Sequence, residues 1–340
     1  MSKHAKSSPD GSCVSSIGGQ ALLEGVMMQS PAGIALSVRR EDGEIVSEYK
    51  DYIPLKDRNK LCGLPIVRGC VSFVASLVNG MKVMSRGVEL LGLEEEEPSK
   101  FEKWLSKTLG KDIEQVVIAA AVTLAIGLAC LLFIVIPAFI GAFVGRFTDS
   151  QIAINTAEGV SKVLIFLGYL SSISLMKDIR RVFMYHGAEH KTIACYEAGL
   201  ELTPENAKNC SRFHPRCGTN YLFLVIMISI LITTLVSYTG PVWGKIGIKL
   251  LLLPFVAGIS YEVLKWAARG ETIFNRIVRW PGMKLQYLTT REPDDSMLEV
   301  AIASFKLALD PAEYKAREAE KAASEAGGNK TGADKAEVFA

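Results

Sequence analysis

The chain has 340 residues, a net charge of only +2, 49% apolar residues and a mean hydropathy of +0.24. The balanced charge leaves no electrostatic footprint for nucleic acid, and the apolar excess argues against a purely soluble protein. Seven cysteines, with Cys62, Cys70 and Cys130 in or beside apolar stretches, form no disulfide framework and fit a reducing compartment.

Residues 1–15 read as a disordered polar tail without the apolar core of a cleavable signal peptide. Residues 16–60 read as a small β-rich region. Segments 34–39 and 44–49 alternate as strands around the turn signal Glu41-Asp42-Gly43, and Gly18-Gly19 and Ser30-Pro31 mark turns before them. Glu24 stands among apolar neighbours and is expected to pair with Arg68 or Arg39. Residues 61–115 form an amphipathic region with a helix over 66–92. Arg68, Lys82 and Arg86 argue against its crossing a bilayer freely, so it either lies on the membrane surface or crosses partway. Glu94 to Glu97 reads as a solvated acidic run.

Residues 116–270 form a membrane domain of about four spans: 116–145, 159–176, 218–244 and 250–266. Pro137 and Gly141 are expected to kink or end the first, and Lys162 to snorkel from the second. Loop charges alternate from basic to poor along the chain. By the positive-inside rule both termini and loop 177–217 face the cytoplasm. Residues 271–310 form a cytoplasmic segment whose helix, 296–309, buries Leu298, Ala301, Ile302 and Phe305 on one face. Residues 311–340 read as a disordered tail. The expected fold is thus mainly α: a polytopic membrane protein with a small N-terminal β-containing cytoplasmic region and a cytoplasmic helical hairpin loop.

That loop holds three of the four histidines. His186 and His190 are spaced i, i+4, about 40° apart and about 6 Å along a helix, close enough to share one ion. With Glu189 they make H-x-x-E-H, the inverted-zincin pattern, in which two histidines hold zinc and the glutamate serves as catalytic base. More ligands are needed. Glu197 lies about 16 Å further along a straight helix, and Cys195 points about 180° away. Gly199 reads as a helix stop and Thr203-Pro204 as a new helix start ending near His214-Pro215. This hairpin could return Cys210, His214 or Cys217 to the pair. Glu262, an ionisable group in the fourth span, is either a further ligand or the ion-pair partner of Lys265, Arg180 or Arg181. The expected cofactor is a divalent metal, zinc or iron.

Three motifs in order, Gly18-Gly-Gln-Ala-Leu-Leu-Glu-Gly-Val-Met-Met28, His186-Gly-Ala-Glu-His-Lys191 and His214-Pro-Arg-Cys-Gly-Thr219, resemble the YqhQ-like family of bacterial membrane proteins. The resemblance covers about residues 16–303. It implies a bacterial cytoplasmic-membrane location and metal dependence without a settled activity, and carries over to His186, Glu189, His190, His214 and Cys217. Two functions stay in view. One is a membrane metal-dependent hydrolase, peptidases included. The other is a non-enzymatic assembly or scaffold factor with a structural metal, acting on a membrane-protein partner or a second copy of itself, with the lipid bilayer as its surroundings.

Overall fold

In the computed structural model, which describes residues 5–7, 13–92, 113–236, 238, 240–268 and 272–317, the alternating pattern near the N-terminus folds as an antiparallel meander. A small pair, β1 (Ala5–Ser7) and β2 (Cys13–Ser15), precedes it within the expected tail. The meander runs β3 (Gly18–Leu22), β4 (Gly25–Gln29), β5 (Gly33–Arg39) and β6 (Ile45–Asp51), in that spatial order. Gly18-Gly19 therefore opens a strand instead of marking a turn before one. The Ser30 and Gly43 turns form as expected, Gly43 at φ +89°.

The period of two gives the sheet two apolar faces. Leu22, Met27, Ile34, Leu36 and Val38 face one way and pack on Leu91 at the end of α2 (Val67–Leu91). Val26, Met28 and Ala35 face the other way, against Tyr185, Ala188, Leu298, Ala301 and Phe305. The last three lie on α11 (Asp295–Leu309), whose Asp294 N-cap accepts the Met297 N–H at 2.9 Å. Residues 16–60 and the C-terminal segment thus share one core. A short α1 (Leu55–Arg58) links β6 towards α2.

The apolar domain follows. α3 (Ile113–Cys130) continues through a π-helical turn (Leu131–Val135) into α4 (Ile136–Val144). Pro137 has no N–H for its preceding turn, and the chain absorbs the defect as a π-bulge without ending the helix. α5 (Gln151–Ile173) and α6 (Lys177–Glu197) meet at a 98° bend. α7 (Pro204–Lys208) starts at the Thr203 cap, as its sequence implies, but stops at Lys208. α8 (Gly218–Leu235) and α9 (Val242–Ala267) follow, then α10 (Ile273–Thr289). Pro241 caps α9, so residues 242–244, expected in the third span, open the fourth. Among the described residues, three helices are long and apolar enough to cross a membrane, and a fourth if the bent pair is one span.

These helices meet around charge the sequence disguised. Glu158 of α5, 3% exposed, takes Lys249 of α9 at 2.5 Å and also Lys245. Lys162, which looked like a snorkelling group, is buried and reaches Ser229 of α8 at 3.3 Å. Gly141 makes room for the Glu158 carboxyl, which a Cβ there would strike at 2.3 Å. The acidic run 94–97 and the tail beyond 317 lie outside the described residues.

Candidate metal centre

The loop motif works residue by residue. His186 and His190 share a face of α6, their ring centroids 4.4 Å apart. Gly187 lets the 289–293 segment cross α6 at close range, because a Cβ there would sit 2.0 Å from the Arg291 carbonyl oxygen. That crossing lets Arg291 N–H bond to the Phe183 carbonyl (2.8 Å) and sets the Thr289 carbonyl 2.8 Å from His186 Nδ1. Ala188 is fully buried in the core under the sheet. Lys191, also buried, donates to the Lys208 and Cys210 carbonyls at 2.8 and 3.0 Å and pins the returning loop. His190 Nδ1 meets the Arg212 carbonyl of that loop at 2.6 Å.

A carbonyl only accepts, so Nδ1 carries the proton on both rings and Nε2 is left as the electron-pair donor. The loop then delivers Cys217, whose Sγ lies 3.2 Å from His186 Nε2. Ligand atoms of His186, His190 and Cys217 all fall within 4.8 Å of one another. Two nitrogens and one sulfur around a tetrahedral zinc stand about 3.3–3.5 Å apart, from Zn–N near 2.0 and Zn–S near 2.3 Å. The donor set fits zinc or ferrous iron, since imidazole and thiolate are borderline-soft ligands. Carbonyl-bonded Nδ1 groups are the usual outer support of metal-binding histidines. Cys217 is also the N-cap of α8, its Sγ accepting the Thr219 N–H at 3.4 Å, which turns the positive end of the helix toward the sulfur. Burial pushes His190 below its ordinary value, against the opposing effect of Cys217.

The other expected ligands sit elsewhere. The His214 ring stands 5.5 Å from that of His190, but its Nε2 is turned to Arg216 (3.3 Å) and the Glu197 carboxylate (3.7 Å). Cys210 packs on the far side of the hairpin against Cys195, the direction the helical wheel gives for Cys195. Its Sγ reaches the Asn206 carbonyl at 3.4 Å. Glu262 is not in the cluster: Arg68 of α2 grips both its oxygens, Nε at 2.6 Å. The pairing differs from the expected Lys265, Arg180 or Arg181, because α2 crosses α9 where Gly69 meets Gly258. Glu24, expected to pair with Arg68 or Arg39, is instead held by Arg181 and by the Tyr185 hydroxyl at 3.1 Å.

Glu189 lies on the cleft wall with the triad. It is 5% exposed, and burial pushes its carboxyl up to about 7 despite the opposing effects of His186 and the Gly19 N–H, which donates to it. A Cβ on Gly19 would lie 2.8 Å from Glu189 Cδ, so the glycine lets β3 approach the carboxyl. Nothing local in the sequence marks this contact, or Gln286 on α10. Gln286, fully buried, binds the His214 N–H and carbonyl, both at 2.8 Å, and holds the loop from behind. The cleft, ≈ 710 Å³, opens between β3 and the triad.

Fold and site thus define a helical protein with membrane-type helices, a small antiparallel sheet and a His/His/Cys cluster facing a cleft. A family model described as "Protein of unknown function (DUF1385)" matches residues 64–311, and the chain belongs to that family. "Uncharacterized protein YqhQ" of Bacillus subtilis (strain 168) is 35% identical over 294 residues, covering 85% of this chain and 90% of that protein. The chain is YqhQ-like, as its three motifs imply. No solved structure matches.

Proposed function

We propose that this chain is a metal-dependent hydrolase of the bacterial cytoplasmic membrane, multi-pass, with both termini and the cleft on the cytoplasmic side. The observation that carries the reading is the convergence of three ligand atoms within 4.8 Å beside a buried carboxylate in an open cleft. Three protein ligands with one side open are the pattern of catalytic zinc sites, whereas structural sites close with four. His214, whose ring stands 5.5 Å from that of His190, has its Nε2 engaged by Glu197 and Arg216. The alternation of basic and charge-poor loops supports the orientation.

Bound by His186, His190 and Cys217, a divalent ion supplies activation of water and polarisation of a carbonyl or ester oxygen. The remaining work belongs to the chain. Thr289 and Arg212 fix the two imidazole tautomers. Glu189, oriented by the Gly19 N–H, accepts the proton of the attacking water and returns it to the leaving group. The β3 wall and Phe183 shield the reacting atoms from bulk water.

The test compares zinc-loaded wild type with Glu189→Gln on a panel of peptide and ester substrates. Hydrolysis should fall by about 10²–10⁴ in the variant, the usual worth of a general base, with metal content unchanged. Equal hydrolysis by both proteins, or none by the metal-loaded wild type, would overturn the enzymatic reading and leave the scaffold one.

A further inference from the structure

We propose that the outer edge of β3 receives its substrate as an extended peptide, added to the sheet as a fifth strand beside the triad. The inference rests on the hydrolase reading above and names its substrate class.

β3 is an edge strand, since the sheet order is β3-β4-β5-β6. Leu23 and Glu24 form the two-residue turn between β3 and β4, which makes Leu22 and Gly25 the closing hydrogen-bonded pair. Strand alternation then turns the N–H and C=O of Gly19 and Ala21 away from β4. The Gly19 N–H confirms that direction by donating to Glu189, where the two walls of the cleft meet. The Gly19 carbonyl and both main-chain groups of Ala21 point the same way, and Gly18 and Gly19 are exposed.

This edge forms one wall of the cleft, and His186, Glu189, His190 and Cys217 stand on the other. A peptide paired with Ala21 would therefore reach the proposed catalytic carboxylate, which the Gly19 N–H holds at the end of that edge. The lining chemistry also selects against other substrates. Arg216 is the single lysine or arginine lining the cleft among the described residues, and Glu197 already holds it. No cationic clamp remains for a phosphorylated substrate. Phe183 is the one Phe, Tyr or Trp there, too few to stack sugar rings or bases. What the wall offers in quantity is main chain, the recognition element of strand addition.

The test uses full-length, metal-loaded protein in detergent, carrying Glu189→Gln so that peptides stay intact. The probe is a fluorescein-labelled pool of random decapeptides, read by anisotropy. Ala21→Pro removes the outward N–H at an edge position, where proline is tolerated. Gly18→Trp adds bulk at the exposed start of the same edge, where a Cβ meets nothing within 4 Å. Each should weaken binding about tenfold or more, the worth of one or two lost main-chain bonds, with metal content and thermal midpoint retained. A pool N-methylated at alternate residues should bind as weakly to the unaltered edge. No binding of the pool, or binding indifferent to both variants and to N-methylation, overturns the peptide assignment. Metal content, measured on the same samples, tests the hydrolase reading separately: a protein that holds no metal fails that reading whatever the anisotropy does.

Discussion

Gly187 has no side chain, and that is its contribution: it lets a backbone carbonyl pass where a Cβ would sit 2.0 Å away. Gly187→Ala should therefore cost about 1–3 kcal/mol, the usual range for overpacking, and lower metal affinity by displacing Thr289 from His186. Chemical denaturation with parallel metal titration checks both. Gln286→Leu should strand the buried His214 N–H and carbonyl, costing about 1–3 kcal/mol each. A loss below about 0.5 kcal/mol, the scatter of surface substitutions, would deny Gln286 its place behind the loop. Glu197 gives a pH signature. Burial alone would raise its carboxyl, but His214, Arg216 and the Ser15 N–H outweigh burial and hold it below its ordinary value. A depressed carboxylate stabilises the fold above its unfolded value and loses that contribution as pH falls through its folded value. Denaturation midpoints of wild type should thus drop below about pH 4.5 more steeply than those of Glu197→Gln. At this scale half of the site was legible in the sequence. The i, i+4 histidines and Glu189 follow from helical spacing, and the hairpin follows from Gly199 and Thr203-Pro204. Which of Cys210, His214 and Cys217 reaches the pair did not, because Lys191, Arg212 and Gln286 set the loop path, and Gln286 lies 72 residues from His214.

Helices carry the next level of the account. α2 reads as an amphipathic helix with too many cations for a span. It reaches from the crossing with α9, where Arg68 binds Glu262, to the sheet, where Gly87 faces Leu22 and Val38. α10 escaped the sequence reading, because its polar face carries Asn275, Gln286 and Thr289 inward and leaves Ile273, Phe274, Ile277 and Trp280 outward. An inverted arrangement of this kind defeats the rule that apolar faces point to the core. The Glu158 group was hidden for a different reason. One carboxylate and three lysines are spread over two helices 83 residues apart at their nearest (Lys162 to Lys245), and from sequence alone Lys162 reads as a snorkelling charge. Glu158→Gln leaves Lys245 and Lys249 buried without their counter-charge. It should cost about 3–5 kcal/mol, seen as a lower unfolding midpoint in detergent. A neutral outcome would mean that water or lipid reaches these lysines.

On the scale of the whole molecule, the N-terminal sheet and the C-terminal helix α11 close one core on the side where loop 177–217 emerges. The sequence divided these into separate regions, since nothing local links β4 to a helix some 270 residues later. The three motifs, distant along the chain, meet at one cleft: Gly19 on one wall, His186 to His190 on the other, Cys217 at its end. In the proposed orientation that cleft opens to the cytoplasm. A membrane-impermeant maleimide should then label Asp149→Cys in intact cells and Ser211→Cys only after permeabilisation, with the modified peptides identified by mass spectrometry. The reverse pattern would invert the topology.

The shared-cation geometry of His186, His190 and Cys217 underlies all of this, and cobalt absorption spectroscopy interrogates it most directly. Cobalt-substituted wild type should bind one ion per chain and show tetrahedral ligand-field bands with a thiolate charge-transfer band, the latter absent in Cys217→Ser and all bands lost in the His186→Ala, His190→Ala double variant. A wild-type protein that takes up no cobalt, or a charge-transfer band that survives Cys217→Ser, would contradict the account.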